Sequence, residues 1–141
     1  MLLGEKLARG GYGLVTGGWP GVDELTARSF ARELERESTP LEDRLIQVVV
    51  DDKLPAFPAG NLVLVRRGEE EWTEPVKRSD AVVLIGGVGG TWSTGEYALK
   101  FGRIVFPLAD TGVMLPSSTC ICNAIGNLSS RPELTSRSFS W

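Results

Sequence analysis

The residues of this chain best suited to chemistry lie in two glycine-rich runs, Thr16-Gly17-Gly18-Trp19-Pro20-Gly21 and Gly86-Gly87-Val88-Gly89-Gly90-Thr91. Glycine reaches positive φ and lets a ligand come close to the backbone. Where such a run opens a helix, unpaired N–H groups and the positive end of the helix dipole together favour an anion. The second run carries the fuller pattern. The apolar strand Ala81-Val82-Val83-Leu84-Ile85 leads into it, helical periodicity follows it, and Thr91 and Ser93 add hydroxyl donors. This combination predicts a phosphate cradle rather than a turn whose glycines serve packing alone. In the first run, Trp19 is suited to stack on a base or ribose, or equally to close over the glycines as a packing lid. If the two preceding strands are neighbours, two helix N-termini share one crevice and can hold a diphosphate.

Glu96 falls early in the helix after the second run, where it can bond a ribose hydroxyl, act as an acid or base, or simply be solvated. Arg28, Arg66, Arg67, Lys77 and Arg78 can contact phosphate, although isolated basic residues usually stay in water. The chain has no histidine, which removes the usual general base of serine and cysteine hydrolases and the commonest metal ligand. Cys120 and Cys122 form a C-x-C pair, too close for a usual disulfide and too few for a zinc site. No metal and no cofactor are therefore expected. A net charge of −3 argues against the broad basic face that duplex nucleic acid or an anionic membrane requires.

The elements that must position these residues read clearly. A length of 141 residues suits one domain with one sizeable core. Leu2, Leu3, Leu7 and Ala8 recur at helical spacing before Gly10-Gly11, and Tyr12 to Thr16 reads as a short buried strand. Val22 to about Glu37 is helical, with Leu25, Phe30, Ala31 and Leu34 inward and Arg28, Arg32, Glu33 and Arg36 outward. Arg44 to Val50 suits a strand covered on both faces, and Asn61 to Val65 a shorter one. Gly68 to Ser79 is expected as a short helix interrupted near Pro75. Trp92 to Phe101 is expected as a helix with Thr91 near its N-cap, and Ile104 to Leu108 as a further strand. This alternation predicts an α/β fold, a Rossmann-like doubly wound parallel sheet with its ligand crevice at the carboxyl ends of the strands.

Both ends depart from that plan. A doubly wound domain begins with a strand, whereas this chain opens inside a helix, so the central first strand is expected to be lacking. Residues 1–112 are read as the binding domain. Residues 113–141, rich in Ser, Thr, Asn and Cys, are read as an atypical tail, frameshifted or disordered; permitted codons for residues 112–128 taken one base out of frame spell an amphipathic, helix-like string. No run approaches the roughly 20 apolar residues of a spanning helix, and Met1 to Lys6 is no secretory signal. The expected compartment is the cytoplasm.

The paired segments Leu14 to Gly21 and Ser79 to Glu96, followed by Phe106-Pro107-Leu108, resemble the SLOG superfamily. That group joins the lonely-guy cytokinin-activating enzymes, proteins once misnamed lysine decarboxylases, and DprA-type proteins. The resemblance covers roughly residues 1–112 and implies a Rossmann-like fold that binds nucleotides or ADP-ribose-like ligands. It carries Thr16, Gly17, Gly18, Trp19, Gly21, Gly86, Gly87, Gly89, Gly90, Thr91 and Glu96 as ligand-binding residues. It offers two functions. Lonely-guy enzymes cleave the N-glycosidic bond of nucleoside 5′-monophosphates with a motif P-G-G-x-G-T-x-x-E and an arginine on the preceding helix. Other members, joined to TIR or sirtuin-like domains in bacterial defence proteins, sense nucleotide-derived signals without cleaving them.

Departures from the enzyme motif favour the sensor. Ile85 stands in place of the motif's proline, an extra glycine precedes Thr91, and Glu96 comes two places late, which on a helix turns its direction by about 200°. The position of the arginine falls near Glu71 or Trp72, neither cationic, so a cationic partner for the phosphate or leaving group in the transition state is lost. The expectation is a nucleotide-binding sensor without catalytic residues, associated with an effector domain or a second copy of itself. Under the alternative, a phosphoribohydrolase, Glu96 is the catalytic residue.

Overall fold

A computed structural model describes residues 2–86 and 89–108, and the backbone of residues 120–125. In chain order the elements are α1 (Leu3–Arg9), β1 (Gly13–Thr16), α2 (Val22–Arg36), β2 (Leu45–Val50), β3 (Asn61–Val65), α3 (Glu69–Lys77), β4 (Ala81–Ile85), α4 (Gly90–Lys100), β5 (Ile104–Leu108) and β6 (Cys120–Ile125). The fold is mixed α/β, as the alternation of the sequence implies.

Residues along β1 and β4 alternate between two apolar layers, the period of two that a sheet imposes. Leu14 packs with Ala8 of α1 and with Ala27, Phe30 and Leu34 of α2, joined by Val83 and Ile85. Val15 turns the other way, to Val48, Val50 and Val65. Val82 and Leu84 meet Val76 of α3 and Ala98 and Tyr97 of α4. The sheet is thus clothed by α1 and α2 on one face and by α3 and α4 on the other. Among the described residues no helix is long and apolar enough to cross a membrane.

The strand order is β3-β2-β1-β6-β4-β5. β1, β2 and β3 run parallel, as do β4 and β5. β6 lies between the two groups and is antiparallel to both neighbours. Its register sets Thr16 and Val83 both opposite Cys122, and Ile85 opposite Cys120. The place expected to lack a strand therefore holds one from the tail. The remaining readings on residues 109–119 and 126–141 lie outside the described residues.

Several expectations need correction. Leu25 is 63% exposed, whereas Glu33 is only 5% exposed. The buried face of α2 is Asp23, Thr26, Ala27, Ser29, Phe30, Glu33 and Leu34; small and polar residues join Phe30 and Leu34 there because α1 lies close against it. A Cβ on Gly4 would run into the Thr26 carbonyl and the Ser29 hydroxyl, and Arg9 Nε reaches Glu33 Oε1 at 2.6 Å. Helix α3 continues through Pro75. In the last turn that proline removes one bond, to the carbonyl four residues back, and leaves few turns to disturb.

Two polar residues tie loops to this frame. Arg44 donates to the carbonyls of Ala8 (2.8 Å) and Tyr12 (2.7 Å), which caps the end of α1. Gln47, buried at the centre of β2, donates to the carbonyls of Phe57 and Ala59, both at 2.6 Å, and so fixes the segment beside the first glycine loop.

Candidate functional site

Both glycine runs emerge at the carboxyl ends of their strands, the first after β1 and the second after β4. With β6 between them, the strands stand two inter-strand spacings apart, about 10 Å. Each run leads into a helix, Gly21 being the N-cap of α2 and Gly89 that of α4. The two loops are built differently.

The first is closed on a carboxylate. Asp23 Oδ2, in the opening turn of α2, accepts the N–H of Gly17 at 3.0 Å and that of Trp19 at 3.3 Å. Asp23 is 1% exposed. Gly18 has φ +71, and a Cβ there would stand 3.0 Å from Val49 and from Pro55. The loop is thereby pressed against β2 and its following segment, and Ala56 N–H donates to the Gly18 carbonyl at 2.9 Å. Trp19 folds back so that a Cβ on Gly17 would lie 2.8 Å from its ring, and the Lys53 ammonium sits 4.2 Å from the ring centroid. Of the two roles open to Trp19, this placement is that of a lid over Gly17, held by a cation–π contact.

The second loop presents hydroxyls instead. Gly86 and Gly89 have φ +89 and +65, a region that side chains rarely enter. Gly87 lies outside the described residues. Gly90 is the first residue of α4, so Thr91 sits within the first turn and is not its cap. Thr91 and Thr94 are buried, and their Oγ1 atoms have no hydrogen-bond partner among the described residues; the same holds for buried Thr16 at the end of β1. A buried hydroxyl left unpaired costs roughly 1–3 kcal/mol, so these three positions favour a hydrogen-bonding group supplied from elsewhere.

The outer candidates fall away from this centre. Glu96 is exposed on the opposite side of α4 from Thr91, Thr94, Gly95 and Ala98, along with Trp92 and Leu99. Among the cations, Arg28 pairs with Glu24 and Arg67 with Asp52, each at 2.9 Å. Lys77 and Arg78 both reach Glu74, at 2.9 and 3.6 Å. Arg66 is exposed. Glu71 and Trp72 lie on α3.

Asp23 and Thr94 escaped the sequence reading. Asp23 stands two residues past the helix cap, where a first-turn carboxylate is favoured by the dipole; that spacing was the available signal for it. Thr94 lies one turn after Thr91, on the same helical face. No protein-family model, no curated protein and no solved structure matches the chain.

Proposed function

We propose that this chain is a SLOG-type, Rossmann-like binding domain that holds a nucleotide-derived small molecule at the start of α4 and serves as a sensor without cleaving it. The observation that carries this reading is the pair of buried hydroxyls of Thr91 and Thr94, without a hydrogen-bond partner among the described residues, in the opening turns of a helix whose cap, Gly89, has positive φ. A helix N-terminus with added hydroxyl donors suits a phosphate, and the crevice at strand carboxyl ends is where open α/β sheets take ligands. The hydrolase reading asks Glu96 to face that phosphate. Its exposed position beside Trp92 and Leu99 supports the sensor instead. In a longer assembly, such a domain passes its occupancy to an effector domain or to a second copy.

Calorimetric titration with AMP, NAD, ADP-ribose and cyclic ADP-ribose tests the proposal. At least one ligand binds, Gly89→Val abolishes that binding, and Thr91→Val weakens it by about tenfold, the loss of one hydrogen bond to a charged group. Chromatography of the AMP mixture shows no released base. Absence of binding by all four ligands, or unchanged affinity in both variants, overturns the proposal.

A further inference from the structure

We infer that the groove which α2 forms with Leu41 and Phe57 is a second, separate binding site, for a free amino acid with an aromatic side chain, whose carboxylate pairs with Arg32 and whose ammonium pairs with Glu35. The inference does not depend on the function proposed above. The groove begins at Arg28, about 10 Å along α2 from its Gly21 cap at 1.5 Å per residue.

Shape and charge carry it independently. The groove has a volume of about 520 Å³, within the usual range of small-molecule sites. Part of its lining is apolar: Leu41 and Phe57 face it while also packing against the core of Phe30 and Leu34. That part is held in place. Gln47 donates to the Phe57 carbonyl at 2.6 Å, and the Arg28 guanidinium stands 4.8 Å from the centroid of the Phe57 ring. An aromatic ring entering the groove meets a phenyl ring and a guanidinium plane, both of which favour stacking.

Charge sets the rest of the ligand. Arg28 is matched by Glu24 at 2.9 Å. Arg32 and Glu35 also line the groove, and neither has an ion pair or side-chain hydrogen bond among the described residues, although their spacing places them on one face of the helix. The groove thus offers one unmatched cation and one unmatched anion. A simple anion would meet the like charge of Glu35, a simple cation that of Arg32, and a neutral apolar molecule would leave both unmatched. A zwitterion matches both. In a free amino acid the ammonium and the carboxylate share one carbon atom, and helix positions three apart set their Cβ atoms about 5–6 Å from each other. Two long side chains so spaced can close on that headgroup while the aromatic group lies against Leu41 and Phe57.

Equilibrium dialysis of the whole chain against radiolabelled L-phenylalanine, with N-acetyl-L-phenylalanine and L-phenylalaninamide as competitors, tests the inference. L-Phenylalanine binds saturably with a Kd of about 0.1 mM. The acetyl derivative lacks the ammonium and the amide lacks the carboxylate, and each competes about tenfold more weakly. Arg32→Gln and Glu35→Gln each weaken L-phenylalanine binding by about tenfold, and in Arg32→Gln the amide competes as well as the amino acid. Both positions are exposed, so the substitutions leave the fold in place, which far-ultraviolet circular dichroism checks. The inference is overturned by the absence of saturable binding up to about 10 mM, by either derivative competing as strongly as L-phenylalanine in the wild type, or by unchanged affinity in either variant. Nucleotide binding at α4 is measured separately, so failure here leaves the proposed function standing, and failure there leaves this groove standing.

Discussion

A carboxylate set between two helices needs a cation, and Glu33 has two, Arg9 at 2.6 Å and Arg36 at 3.2 Å. The hydrogen bond from Arg9 is the chief reason its carboxyl lies below the ordinary range; burial opposes this, and Arg36 adds to it. A carboxyl depressed in the folded state stabilises the fold above its unfolded value, roughly 4.3 for glutamate, and that contribution is lost as pH falls through the lower folded value. Glu33→Gln is therefore expected to melt at a lower temperature than the wild type at pH 7, with the gap narrowing below pH 4. Melting curves from pH 7 to pH 3 check this, and a gap that stays constant to pH 3 contradicts it. The sequence places Glu33 outward because apolar periodicity assigns charged residues to water. It cannot show that Arg9, on another helix, comes within reach. Asp23 is hidden for the same reason, as its partners are amides of a loop whose path depends on tertiary contacts.

At the scale of elements, the contact between α1 and α2 depends on Gly4. A Cβ there would strike the Thr26 carbonyl and crowd the Ser29 hydroxyl and Phe30 amide, two of them backbone groups that cannot move without shifting the helix. Gly4→Val should cost roughly 1–3 kcal/mol by overpacking, read as a lower urea midpoint at similar slope. An unchanged midpoint would show that the helices separate at little cost. Strong local patterns made most elements legible: Asn61–Val65, Ala81–Ile85 and Ile104–Leu108 follow directly from β-branched and apolar runs between turn residues. On α2, Phe30 and Leu34 were legible as inward and Arg28, Arg32 and Arg36 as outward, but Leu25 and Glu33 were not, since a glycine on the neighbouring helix lets small and polar residues face inward in place of Leu25. The exact start of α4 was hidden too, because Gly89 takes the cap through backbone freedom while Thr91 has the side chain that caps usually use.

For the whole molecule, the decisive feature is β6. The glycine loops and their helices were legible as local patterns, but the partner between β1 and β4 was not, because Cys120 to Ile125 carries no helical or alternating pattern that names its neighbours. Among the described residues, the two parallel groups β3-β2-β1 and β4-β5 meet in the sheet through this antiparallel strand. A strand bonded on both sides commits every backbone N–H to one neighbour or the other. Ala124 lies opposite both Leu14 of β1 and Ala81 of β4. Ala124→Pro removes one donor and sets a ring against the adjoining strand, and proline is excluded from central strands for these reasons. Each orphaned carbonyl costs about 1–3 kcal/mol, a considerable part of the roughly 5–15 kcal/mol that holds a typical domain. Hydrogen exchange followed by mass spectrometry should show Leu14 to Thr16 and Val82 to Ile85 protected in the wild type. In Ala124→Pro both segments should lose protection together, because one strand serves both edges. Loss at one segment alone would mean that β6 holds only that neighbour. Unchanged protection at both would mean that the two parallel groups cohere without it, through α2 packing against Val83 and Ile85.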